Sequence, residues 1–270
     1  MRFKLFFLSS IFFIAFACKK RESNQVENFC PENFDTEAQI LIGNTVNATI
    51  ESDPASFDVL SPIDYPAAYN YLNTLFFTIL NTEPVHPNRY VYDWELYIIR
   101  DDSVKTAFFA PGGSLYIYTG LLKFLESEHQ LISIIAHEVY YANTEDIPIN
   151  LREADVINCL DLGDITLGRE VATSDALAYG LPSLEFNATQ VLQADSFAVH
   201  VLCPFLYEPL GIREIITKAQ DEEVFVEWLE YRSASINERI DALSEFASGC
   251  DLGGVRNEES YQQFVANDLP

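Results

Sequence analysis

The chain has 270 residues, 49% of them hydrophobic, enough to bury a sizeable core as one domain or one domain with a small appendage. Eleven glycines and twelve prolines are no excess, which argues against a collagenous or wholly disordered chain. Forty-one acidic residues against sixteen basic ones give a net charge of −25, a surface that repels phosphate backbones and anionic headgroups, so nucleic acid is not expected as a partner.

The first residues read as a targeting segment. Arg2 and Lys4 form a basic start, and Leu5 to Ala17 form an apolar run too short to span a membrane. The run ends at Ala15-Phe16-Ala17-Cys18, which resembles a bacterial lipobox, in which the chain is cut before a cysteine that is then lipidated. Residues 1–17 are therefore expected to be a signal peptide, Cys18 the lipidation site, residues 18–45 an anchor and polar tether, and residues 46–270 the folded domain. No later stretch reaches the roughly 18 apolar residues of a span, so membrane attachment is expected through the lipid alone. Cys30, Cys159, Cys203 and Cys250 remain, an even number suited to disulfides in an oxidising compartment, with three pairings open.

In chain order, Leu72, Leu75, Phe76 and Ile79 predict a helix over 65–80. Trp94 to Ile99 and Ser114 to Tyr118 read as strands, with a turn at Pro111-Gly112-Gly113. Ser127 and Gln130 have the spacing of a capping box, opening an apolar helix from Leu131 to about Tyr141. Residues 142–186 lack strong periodicity. Further helices are predicted from Asn187 to about Val201, from about Ile212 to Tyr231, and from Asn237 to about Phe246.

His137 and Glu138 carry the strongest chemical signal. Ala136 to Tyr141 reads as H-E-x-x-H with the second histidine replaced by Tyr141. On a helix, residues four apart share a face, so two histidines there hold one zinc while the glutamate activates a water. A phenol ligates only as phenolate, and its ordinary pKa of about 10 makes that costly.

Four blocks over residues 60–245 resemble the HtpX-like and CAAX-prenyl-protease-like zinc metallopeptidases, in particular their periplasmic lipoprotein type. Lys105 to Leu122 is similar to the family's N-A-F-A-x-P-G-G-x-I-x-V-x-x-G-L-L, whose strand pairs with extended substrate; Ala107, Gly112 and Gly113 are among the matches, and Thr106 replaces the asparagine. Glu128 to Glu138 resembles E-D-E-L-A-x-V-L-A-H-E, which implies His137 as the first zinc ligand, Glu138 as general base and Tyr141 at the second ligand position. Val191 to Asp195 stands where the family has E-x-x-A-D: Asp195 matches the supporting aspartate, but Val191 occupies the place of the third ligand. Ser233 to Ile240 resembles H-P-x-x-x-x-R-I; Arg239 matches, while Ser233 and Ala234 replace the histidine and proline.

The resemblance implies an α+β fold: a mostly helical, gluzincin-like domain with a small sheet edging the cleft. Scaffold positions persist while ligand positions have changed. The expectation is an exported, lipid-anchored homologue of zinc metalloendopeptidases in the bacterial envelope, facing the periplasm or the surface, without catalytic activity and with no cofactor. Its expected partners are envelope proteins or extended peptides. The alternative is an active metalloendopeptidase with an altered zinc shell, for which Glu145, Asp146, Asp195 and His200 are the candidate replacement groups.

Overall fold

The computed structural model describes residues 34–85, 89–154, 156, 174–205, 207–230 and 234–270. Cys18, Cys30, Cys159, Ser233 and the predicted signal peptide lie outside these residues. Among the described residues no helix is long and apolar enough to cross a membrane.

A three-stranded sheet lies against a set of helices. β1 (Glu95–Ile99) pairs in parallel with β3 (Ser114–Tyr118), and β2 (Ala107–Ala110) pairs with β3 antiparallel, giving the order β1-β3-β2. The β2–β3 turn needs its glycines: Gly112 and Gly113 have φ of 88° and 120°, where a side chain is disfavoured. Both therefore sit in the turn rather than in the edge strand. Gly112 lies against Ile40 and Gly113 against Tyr92 and Asp93.

α1 (Thr36–Ser52) begins at Asp35, whose carboxylate accepts from the Ala38 N–H at 2.8 Å. It takes in residues 36–45, which the sequence reading assigned to the tether. Ile42, Val46 and Ile50 recur every four residues and are buried, so this helix belongs to the core. Asn47 bridges it to the sheet, donating to Ser114 Oγ at 2.9 Å and accepting from the Tyr116 hydroxyl at 2.8 Å. A Cβ on Gly43 would lie 1.8 Å from the Pro111 carbonyl oxygen. Gly43→Ala is therefore expected to lower stability by about 1–3 kcal/mol, the usual cost of overpacking. Urea denaturation checks this, and an unchanged midpoint would show that α1 does not dock on the turn.

α2 (Pro66–Leu80) buries the predicted Leu72, Leu75, Phe76 and Ile79. A short α3 (Thr119–Phe124) leads to α4 (Glu128–Ala142), which is buried along its whole length except at Tyr140 and packs against α2, β2 and several later helices. Its N-terminus departs from the predicted capping box. The Ser127 hydroxyl pairs with His129 Nδ1 at 2.7 Å instead of capping the helix, and the Gln130 side chain accepts from the Glu126 N–H. His129 is buried and its Nε2 meets Glu214 at 3.0 Å, so the imidazole outcompetes the backbone for the serine.

α5 (Asp146–Glu153) and α6 (Ser174–Gly180) precede a 3₁₀ turn at Leu181–Ser183. α7 (Ala188–Leu202) starts from a reciprocal capping box between Asn187 and Gln190. α8 (Gly211–Asp221) is shorter than predicted. Three successive carboxylates, Asp221 to Glu223, oppose the helix dipole at its C-terminus, and Glu223 takes a left-handed φ of 52°. The chain resumes helix only at α9 (Glu227–Glu230). α10 (Ile236–Phe246) is capped by Ser235, and α11 (Glu258–Asp268) closes the chain. Cys203 and Cys250 form a disulfide, Cα–Cα 5.3 Å, which answers half of the pairing question.

Candidate functional site

The site forms where α4, α7, α9 and α10 meet behind β2. On α4, one turn separates His137 from Tyr141. On α7, Val191, Ala194, Asp195, Ala198 and Val199 share the buried face, so Val191 and Asp195 both look into the protein. α10 buries only Arg239 and Leu243, and Arg239 reaches back across the core to α7.

Asp195 is the hub. Its Oδ2 accepts from Arg239 Nε at 2.8 Å, and its Oδ1 accepts from the Arg239 guanidinium at 2.8 Å and from His137 Nδ1 at 3.0 Å. Burial alone would raise this carboxyl's pKa. The Arg239 charge and the hydrogen bonds from His137 and Arg239 outweigh it and hold the carboxyl well below the usual range. An ionised carboxylate only accepts, so Nδ1 of His137 carries the proton. At a metal site this same pairing orients a histidine ligand through its other nitrogen.

Glu138, the next residue on α4, meets the same tryptophan that packs against His137. Its Oε1 accepts from the indole N–H of Trp228 on α9 at 2.7 Å. Trp228 is fully buried; its ring meets His137 edge-on at 4.9 Å, and the Arg239 guanidinium lies 5.4 Å from the ring centre. The backbone fixes α9 under the start of β2: the Trp228 N–H donates to the Lys105 carbonyl at 3.1 Å, and Glu227 accepts from the Lys105 N–H at 2.7 Å.

Tyr141 is buried, stacked on Phe186 with ring centres 3.9 Å apart and edge-on to His137 at 5.1 Å. Val191 is fully buried and offers no donor atom. The four groups considered as replacement ligands lie apart from one another in their contacts. Glu145 accepts from the Phe34 N–H, Asp146 pairs with Thr144 and Gln190, Asp195 is held by Arg239, and His200 is exposed against the Ser196 carbonyl. Among the described residues no three His, Cys, Asp or Glu side chains come together in a way that holds a metal.

Ala107 of β2 lines a narrow gap of about 10 Å³ with Glu138, Leu181, Leu184 and Phe186. The structure thus joins His137, Glu138, Tyr141, Asp195 and Arg239 in one cluster, with Ala107 at its edge and Gly112 and Gly113 away from it. The sequence reading missed two members, Trp228 and Phe186. Trp228 is one of only two tryptophans, a signal that something large is buried there, but no spacing ties it to Glu138.

Helix, hairpin and buried His-Glu pair together define a metallopeptidase-type domain. A family model described as peptidase family M48 matches residues 83–245, and the chain belongs to that family. Similar curated proteins include the mitochondrial metalloendopeptidase OMA1 of Schizosaccharomyces pombe, 40% identical over 119 residues, covering 43% of this chain and 34% of that protein. The protein of the same name in Saccharomyces cerevisiae is 21% identical over 117 residues, again 43% and 34%. The beta-barrel assembly-enhancing protease of Yersinia pestis is 24% identical over 181 residues, covering 62% of this chain and 36% of that protein. These matches span about a third of each relative's length.

Proposed function

We propose that this chain is an exported, lipid-anchored member of the metalloendopeptidase family that holds no zinc and binds extended segments of envelope proteins without cutting them. The observation that supports this most is the engagement of Glu138 by Trp228. A general base must face a metal-activated water, and this carboxylate instead accepts from a fully buried indole. Catalytic zinc needs three nitrogen, oxygen or sulfur ligands. His137 is the ligand position retained, while Tyr141 and Val191 stand at the other two. Asp195 and Arg239 act as supports that orient His137. Cys18 is the lipidation site in this reading, with the tether ending before Thr36 and the folded domain following it.

Among the described residues β2 lies at the edge of the sheet, and in this reading an extended peptide adds to it as a further strand. The names of the relatives favour a second reading, a working metalloendopeptidase acting on envelope proteins. To separate the two, a soluble chain beginning after Cys18 is incubated with a labelled valine- and threonine-rich peptide, with and without added zinc. Binding with the peptide intact by mass spectrometry supports the first reading. Zinc-dependent cleavage overturns it.

A further inference from the structure

The start of α4 carries a chain of hydrogen bonds that the His137 cluster does not use. The Ser127 hydroxyl meets His129 Nδ1 at 2.7 Å, and His129 Nε2 meets Glu214 of α8 at 3.0 Å. Arg256 fixes Glu214 in turn, donating from its two terminal nitrogens to the two carboxylate oxygens at 2.8 and 2.6 Å. Burial would raise the Glu214 carboxyl, but the hydrogen bonds from His129 and Arg256 hold it down to about 2. An ionised carboxylate only accepts, so His129 Nε2 carries a proton. The neutral imidazole then keeps its lone pair on Nδ1, where it accepts from the serine. That hydroxyl is not spent on capping α4. His129 precedes His137 by two turns, so this chain lies at the other end of the helix from Tyr141.

We propose that Ser127, His129 and Glu214 form an esterase site for small neutral carboxylic esters, separate from the zinc-type positions. A nucleophile within hydrogen-bond reach of a base, the base oriented by a third group, is the arrangement that activates a serine. Ser127 and Gln130 line a pocket of about 460 Å³ with Lys123, Lys218 and Arg256. Each of these cations already holds a carboxylate: Asp102 at 2.7 Å, Glu126 at 3.0 Å and Glu214 at 2.6 Å. The pocket is therefore balanced in charge and suits a neutral substrate. Ser127 is only 1% exposed, which restricts the substrate to a small acyl group. In the first step Ser127 Oγ bonds to the ester carbonyl carbon as its proton passes to His129 Nδ1. The carbon–oxygen bond to the alcohol then breaks, and the alcohol leaves with that proton. Water frees the acid by the same route, giving a proton to Nδ1, which returns it to Oγ. The oxyanion is assigned to the start of α4, whose positive dipole end has no side-chain cap. Glu214 is a positioning residue, holding the imidazole in the tautomer that accepts.

The test uses the chain beginning after Cys18, with a metal chelator present throughout. It is expected to hydrolyse p-nitrophenyl acetate over many turnovers. Ser127→Ala is expected to lower kcat/KM by about 100-fold or more, the lower end of what a positioned base supplies. Glu214→Gln is expected to lower kcat with KM unchanged, a split that loss of folding alone does not produce. A fluorophosphonate probe, which phosphonylates an activated serine, is expected to label Ser127 when the parent is mapped by mass spectrometry. If a variant does not fold, that map decides. Absence of turnover, equal rates in the parent and Ser127→Ala, or a label elsewhere or nowhere overturns the inference. The zinc-free binding reading stands in each of those cases, because it uses none of these three residues.

Discussion

Asp195→Ala is expected to lower the unfolding free energy by about 3–5 kcal/mol, the cost of removing one partner from a buried ion pair. The loss would leave the Arg239 guanidinium and the His137 imidazole in the core without the carboxylate that takes three of their hydrogen bonds. Urea denaturation measures it as a shift in midpoint at constant slope. The same residue sets an acid limit. A carboxyl whose pKa is depressed by folding binds its proton more readily in the unfolded chain. Its contribution is therefore full above the unfolded value of about 3.9 and is lost as pH falls below it. Glu214 acts in the same direction: burial would raise it, but hydrogen bonds from His129 and Arg256 hold it down to about 2. Stability should be level above about pH 5 and fall below about pH 4, with a shallower acid limb in Asp195→Ala. An acid limb identical in the two proteins would contradict this role for Asp195.

Trp228→Ala is expected to cost about 5 kcal/mol, the upper end of the range for deleting a buried indole. The packing it removes touches His137 and Arg239, and the donor it removes serves Glu138. Trp228→Phe separates the two effects: it keeps most of the ring volume and drops the N–H, for an expected loss of about 1–3 kcal/mol. Far-UV circular dichroism in urea reads both variants without relying on tryptophan emission. A phenylalanine variant as unstable as the alanine one would show that packing contributes nothing, against this account.

Local chemistry made much of this molecule readable beforehand. β3 coincides with Ser114 to Tyr118, α2 with the Leu72–Ile79 stripe, and α7 with the span opened at Asn187. The α4 site positions were legible because one helix sets the spacing of His137, Glu138 and Tyr141. α1 was not, since Ile42, Val46 and Ile50 are separated by Asn, Thr and Gly that look like linker, and their burial depends on docking against the hairpin turn. α11 buries only Tyr261 and Phe264 in an otherwise polar stretch, too thin a stripe to announce a helix. The partners within the site were hidden for a different reason. Glu138 and Trp228 are 90 residues apart, and Tyr141 meets Phe186 from a segment without periodicity. Contacts of that range follow from the fold and not from any local pattern, so neither Trp228 nor Phe186 could be tied to the α4 residues beforehand.

The central claim is that this metallopeptidase-family domain folds and binds without zinc. The most direct measurement is elemental analysis of the purified chain beginning after Cys18, dialysed against trace zinc and shown to be folded by circular dichroism. The account predicts no stoichiometric zinc in the folded protein. About one zinc per chain, the content of a catalytic site with its full ligand set, would contradict it and make the working endopeptidase the reading to pursue.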